Sequence, residues 1–232
     1  MRLDGFFQDQ RLVALTSDAS VDFTPADFDS PLTPQQRVYL RKECQFDVPK
    51  VFWRKQVHGD DVLEATGTAW PSAFFPDADA LVTKEKNLPI AVRTADCVPV
   101  FIFDPHGPFV ALAHAGWRGT HKAIAAKTVD VLRKKYGSKP SDLKIVLGPG
   151  IRDCCYQVGA ELAGHFPAYV RKRDNALYAD LFAANRDQLM QAGVGQDHIF
   201  DTGTCTCCHK DYFSYRRDGG KAGRMISLMM LL

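Results

Sequence analysis

Between residues 78 and 115 the chain alternates short apolar runs with polar breaks: ADALVT, PIAVRT, VPVFIF and PFVALAHA follow in close order. Runs rich in β-branched and aromatic residues, punctuated by Gly and Pro, predict strands, and four in succession predict a sheet. The period then changes. THKAIAAKTVDVLRKKYG (120–137) places Ile124, Thr128, Leu132 and Tyr136 on one helical face and stops at Gly137. Upstream, TPQQRVYLRKEC (33–44) opens as a helix, with Thr33 as cap and Pro34 in the first position. KVFWRKQV (50–57) and DVLEA (61–65) read as strands around a turn at His58, Gly59 and Asp60. Downstream, LKIVLGPG (143–150) predicts a buried strand running into a Gly-Pro turn. AELAGHF and YADLFAANRDQLMQAG predict helices, and HIFDTG and RMISLMML strands. Residues 17–35, rich in Ser, Asp and Pro, read as irregular. With no internal repeat and no linker, the expectation is one α+β domain over 1–232, built on mixed sheet.

Composition narrows the function classes. The chain is 46% hydrophobic and 24% charged, enough to bury a core without disulfides. Its 29 basic and 27 acidic residues balance to +2, which points away from a nucleic-acid or membrane-surface partner. The basic run RKR (171–173) fits a solvated helix face. No apolar signal core opens the chain and no run is long enough to span a bilayer, so a cytoplasmic protein is expected. Seven cysteines, two pairs of them adjacent, do not form a secreted disulfide pattern; buried, catalytic or metal-binding roles remain.

Three stretches combine reactive side chains with strand ends or turns: KQVHGD (55–60), RTADCVPV (93–100) and HAGWRGT (114–120). Singly, His58 reads as a turn residue, Cys97 as a small core residue and His114 as a satisfied core histidine. Together, two imidazoles and a thiolate make a three-ligand zinc set with a position left for water, whose pKa zinc lowers toward neutrality. The same Cys and His could instead form a nucleophile–base pair. In GWRGT, Arg118 and the helix start that follows would suit an anion, or the stretch is a plain strand-to-helix connection. LGPGIRDCCYQVG (147–159) could line a pocket with Tyr156. YFSYRRDGGKAGRM (212–225) brings Tyr215, Arg216, Arg217 and Arg224 to a Gly-rich turn, a composition suited to a base with a phosphate or carboxylate.

TCTCCHK (204–210) packs Cys205, Cys207, Cys208 and His209 together. Cys205 and Cys208 have C-x-x-C spacing, but a structural zinc site needs a second ligand pair and none follows. The stretch is expected to support the pocket, with its thiols mostly packed and metal binding a minority reading.

KQVHG, DADALVT, RTADCVPVFIFDP, VALAHAGWRGT, LGPGI…CCYQVG and CTCCHKDYFSYRRDGGKAGRMISL occur in this order. In that order they resemble the YfiH-like (DUF152) family, also called the polyphenol oxidase laccase or peptidoglycan editing factor family. The resemblance runs from about residue 50 to the end, so 50–232 is the motif-bearing part and 1–49 a divergent one. The family's N-terminal RxGGVS…NLG stretch has no counterpart in LTSDASVDFTPADFDSPLTPQQRVYL, which lacks both the Gly-Gly and the Asn-Leu. The resemblance implies a layered α+β fold with mixed sheets flanked by helices. It also implies a zinc site at His58, Cys97 and His114.

The resemblance further implies a zinc-dependent purine nucleoside enzyme. Such an enzyme phosphorolyses adenosine, inosine, guanosine or methylthioadenosine and deaminates adenosine. Asp96 is then a candidate proton carrier, and Arg93, Arg118, Tyr215, Arg216 and Arg217 are candidates for binding substrate and phosphate. A second implied activity is amide hydrolysis of misbuilt muropeptide precursors, with Cys97 as nucleophile and His114 as base. A copper polyphenol oxidase is the weakest reading. Multicopper chemistry needs an imidazole-rich cluster, and the seven histidines are scattered with no His-x-His pair.

Overall fold

A computed structural model of the chain describes residues 1–25, 30–67 and 76–232. In chain order the first elements are α1 (Asp4–Phe7), β1 (Leu12–Thr16), α2 (Pro34–Cys44), β2 (Val62–Glu64), β3 (Ala80–Thr83), β4 (Ile90–Thr94), β5 (Val98–Asp104) and β6 (Phe109–Ala115). Then come α3 (Trp117–His121), α4 (Ile124–Tyr136), β7 (Lys144–Leu147), β8 (Gln157–Val158), α5 (Ala160–His165), β9 (Val170–Arg173) and β10 (Ala176–Ala179). The last are α6 (Leu181–Gln191), β11 (Ile199–Asp201), α7 (Tyr215–Asp218) and β12 (Met225–Leu231).

Every residue of β5 and β6 is buried, which is why these runs show no polar alternation. They sit in the middle of a six-stranded mixed sheet, ordered β11-β7-β5-β6-β3-β2, with β11–β7 and β2–β3 parallel. One face, through Val100, Ile102, Ala111 and Ala113, packs on Ile124, Val129 and Leu132 of α4 and Leu181 and Leu189 of α6. The other, through Phe101, Phe103, Val110 and Leu112, packs on a three-stranded antiparallel sheet ordered β1-β12-β4. The far side of that second sheet, through Leu15, Ala91 and Leu228, is covered by Leu40 and Cys44 of α2 together with Phe23 and Trp53. The layers therefore run helix, sheet, sheet, helix, in agreement with the expected α+β fold of mixed sheets flanked by helices. A small antiparallel sheet, β8-β10-β9, pairs with neither of these, and Val170 of β9 packs against the helix-side core.

The α2 prediction holds to the cap: Thr33 and Gln36 bond each other reciprocally and Pro34 opens the helix. Three expectations are corrected. The 50–57 segment is not a strand; apart from a bridge from Phe52 to Ile90, its pairing with β4 is taken over by a side chain. The Gln56 amide accepts from the Arg93 N–H and donates to the Arg93 carbonyl, both at 2.8 Å, so a side chain ends the ladder. The helix expected over 120–137 is two helices, α3 and α4, broken at Ala123, whose φ is +60°. Thr120 is held in place there, its hydroxyl accepting from Asn185 and its carbonyl from Gln188. RKR (171–173) is an exposed strand, β9, whose residues are polar on both faces and so carry no period-2 signal. Among the described residues, no helix is long and apolar enough to cross a membrane.

Candidate metal centre and pocket

Antiparallel pairing of β5 and β6 sets Val98 opposite Ala115, so Cys97, just before β5, and Gly116, just after β6, meet at one end of the sheet. His114 is the penultimate residue of β6. His58 arrives from the segment before β2, at a turn where its φ is +57°. His58, Cys97 and His114 each offer a ligand atom, and these atoms lie within 4.8 Å of one another. The two imidazoles meet edge to face, with centroids 4.9 Å apart. Gly116 permits this approach: a Cβ there would stand 2.9 Å from Cys97 Sγ and 2.9 Å from His58 Cδ2.

Asp79, immediately before β3, organises the group. Its Oδ1 lies 2.8 Å from His114 Nδ1, and the carboxylate accepts from the N–H groups of Val57, His58 and Gly59. One buried carboxylate thus fixes the His114 ring and the turn that presents His58. Burial opposes ionisation of Asp79, but the His114 bond and charge and these N–H groups outweigh it and hold its pKa low. Burial likewise opposes a Cys97 thiolate, yet His114, joined by His58, brings the thiol pKa down. His114 moves the opposite way: burial disfavours the imidazolium, and Cys97 with Asp79 raises the pKa above the ordinary value. The donor set, two imidazoles, one thiolate and a carboxylate behind one imidazole, fits a zinc-type cation.

The three residues lie on the floor of a cavity of about 690 Å³. Of the other expected site residues, Arg93, Asp96, Arg118, Tyr215 and Arg216 all line it. Arg93 stacks 5.0 Å from the Trp53 ring, and burial together with Arg224 pushes its pKa down to about 10. Arg118 lies 4.3 Å over Trp117, and the Arg216 guanidinium 5.2 Å over Tyr156. Asp96, at φ +93°, accepts from the Thr206 hydroxyl at 2.7 Å and the Arg216 N–H at 2.6 Å, so both of its oxygens are engaged by the loop that carries Arg216. Arg217 is not brought to the cavity. Its guanidinium donates to the carbonyls of Thr206, Cys207, His209 and Tyr212 and pairs with Asp218, cross-linking its own loop.

The anion site expected at the start of a helix after GWRGT is also changed, because Trp117–His121 is itself a short helix. Sequence reasoning did not single out Asp79, Gln56 or Thr206. For Asp79 a signal existed, an acid placed just before an apolar strand in DADALVT. From the irregular N-terminal region, Thr24 and Pro25 reach the cavity rim, fixed through Asp22, which accepts from the N–H groups of Thr24 and Arg224. The TCTCCHK thiols are not mostly packed: Cys205 is buried, Cys207 half-buried and Cys208 exposed.

Residues 22–232 match the family model described as multi-copper polyphenol oxidoreductase laccase, so the match begins upstream of the motif-bearing part. The purine nucleoside phosphorylase YlmD of Geobacillus stearothermophilus is 37% identical over 191 residues, covering 75% of this chain and 70% of that protein. The purine nucleoside phosphorylase YfiH of Shigella flexneri is 36% identical over 192 residues, covering 79% and 74%. The crystal structure of the hypothetical protein YfiH of Bacillus licheniformis superposes with a TM-score of 0.82 at 29% identity, covering 95% of this chain and 93% of that one. The two-sheet fold, the ordered motifs and these likenesses together make the chain a member of the YfiH-like family.

Proposed function

We propose that this chain is a metal-dependent purine nucleoside phosphorylase whose pocket also deaminates adenosine. The observation that carries the reading is the convergence of His58, Cys97 and His114 on the floor of a cavity walled by arginines and aromatic rings. The related YlmD and YfiH proteins are purine nucleoside phosphorylases by name, which supplies the substrate class. A zinc ion held by the three residues would supply an electrophile that acidifies water, which is the chemistry that replacing the adenine amino group requires.

The chain's own residues do the rest. Tyr156 and Trp117 line the cavity with apolar ring surface suited to a purine, and Arg93, Arg118, Arg216 and Arg224 give it a positive field that attracts phosphate. In phosphorolysis a phosphate oxygen forms a bond to the anomeric carbon as the bond to the base nitrogen breaks, and the base leaves with a proton. Those cations hold the incoming anion close and in line. Tyr215, exposed at the rim, fits a gate over the sugar. Asp96, with both oxygens engaged, fits a positioning role: it ties the Arg216 loop beside Cys97.

One observation favours a second reading. Cys97, His114 and Asp79 are linked in the order of a thiol–imidazole–carboxylate triad, which suits amide hydrolysis of a muropeptide precursor. Copper oxidase chemistry has less support: among the described residues the clustered metal donors comprise the His58 group and a group of four thiols, with no imidazole-rich set.

The test is product analysis on adenosine with phosphate, alongside metal analysis. Adenine or hypoxanthine with ribose 1-phosphate, and inosine, are expected, with loss of at least about 100-fold on His114→Ala. Stoichiometric metal with no nucleoside turnover would overturn the phosphorylase reading. Activity on an amide substrate that survives chelation would favour the triad.

A further inference from the structure

A second group of thiols lies outside the His58 centre. Cys154 and Cys155 sit on the turn between β7 and β8, and Cys205 and Cys208 on the turn after β11. In the sequence Cys205 and Cys208 read as half a metal site, because no second pair follows them. The fold supplies that pair from upstream, 54 residues before Cys208 in the case of Cys154. All four sulfurs lie within 4.8 Å of one another. The closest separations are 3.3 Å for Cys155–Cys208, 3.6 Å for Cys154–Cys208 and 3.7 Å for Cys154–Cys155. The edge of a tetrahedron of sulfurs around zinc, with metal–sulfur bonds of ~2.3 Å, is about 3.8 Å.

The scaffold around the four thiols is preformed. Gly150 and Cys205 form a parallel bridge, and the Thr206 N–H donates to the Gly150 carbonyl at 3.1 Å. Arg173 donates to the Cys154 carbonyl and Arg217 to the Cys207 carbonyl, bringing positive charge to both turns.

We propose that Cys154, Cys155, Cys205 and Cys208 form a second, structural metal site for a thiophilic tetrahedral cation, zinc in the first instance. It staples the turn that walls the pocket to the turn that holds Asp96 in place. One turn carries Ile151 and Tyr156 on the cavity surface; the other carries Thr206, whose hydroxyl holds Asp96 beside Cys97. The site is independent of which reaction the pocket performs.

The experiment counts zinc per chain in the full-length protein purified under reducing conditions. It compares the parent, Cys154→Ser/Cys208→Ser and His114→Ala. Both replaced cysteines are exposed, which favours retention of the fold. The cysteine variant is expected to lose one equivalent that His114→Ala leaves in place. A cysteine variant with the parent's zinc content overturns the proposal. Native-state alkylation of the parent, read by mass spectrometry, removes any dependence on the variant folding. Cys154, Cys155 and Cys208 are expected to be protected together when zinc is bound and to react once it is chelated. Alkylation of Cys154 and Cys208 at equal rates with and without chelator, or a Cys155–Cys208 disulfide in the purified protein, overturns it.

Discussion

At the scale of single residues, the centre depends on two positions outside the His58, Cys97 and His114 set. Asp79 receives the His114 ring nitrogen and three backbone N–H groups from the turn bearing His58. Asp79→Asn keeps the shape but removes the charge that raises ligand basicity. Metal affinity should fall by about 10–100-fold, read by competition with a chromophoric chelator, while the fold persists. Gly116 matters for the opposite reason, since what it lacks is volume. Its φ is −72°, so alanine is allowed by the backbone, but the added Cβ would stand 2.9 Å from Cys97 Sγ and from His58 Cδ2. Gly116→Ala should therefore deplete the bound metal and the activity while thermal stability changes little. A variant with full metal content would show that the thiol and imidazole can yield.

At the scale of elements, the site is a meeting of strand ends and the loops that follow them. β7 and β11 run parallel and deliver their loops to the same end, where Arg152 and Asp201 form a two-pronged ion pair at 2.8 and 2.9 Å. Burial would raise the Asp201 pKa, but Arg152 and the Gly203 N–H outweigh it and hold it below the ordinary carboxylate value. A depressed folded-state pKa gives stability that is present above the unfolded value of about 4 and is lost as pH falls through the folded value. Asp201→Asn should cost about 1–3 kcal/mol at neutral pH. The gap from the parent should narrow below about pH 4, in chemical denaturation followed across pH. A gap that stays constant into acid would mean that the charge contributes nothing. Elsewhere the pattern was a good guide to elements: Thr33 and Pro34 placed the start of α2, and Gly137 placed the end of α4. It erred where hydrogen bonds from residues distant in the chain overrode local propensity, at Gln56 and at Thr120.

At the scale of the whole molecule, one sheet serves two cores. Along β5, Val100 and Ile102 face the helices, and Phe101 and Phe103 face the second sheet. Phe101 is fully buried among residues of five different strands, including Leu81, Val92, Leu112, Val146 and Met229. Phe101→Ala should cost about 3–5 kcal/mol in chemical denaturation. Because β5 also aims Cys97, metal retention should weaken with it. A loss below about 1 kcal/mol would show that the two sheets close over the gap.

The sequence by itself determined most of the elements, because local propensity is written in neighbouring residues, and it named His58, Cys97 and His114 through their side-chain chemistry and the motifs that carry them. The ordered motifs carried the family as well. Tertiary structure alone decided what those residues meet. Asp79 reaches His114 because β3 pairs with β6, Arg217 turns away from the cavity because its own loop carbonyls claim it, and Cys154 finds Cys208 because β7 and β11 run side by side. Such distances depend on strand pairing across many residues, and no local pattern in the chain encodes that pairing.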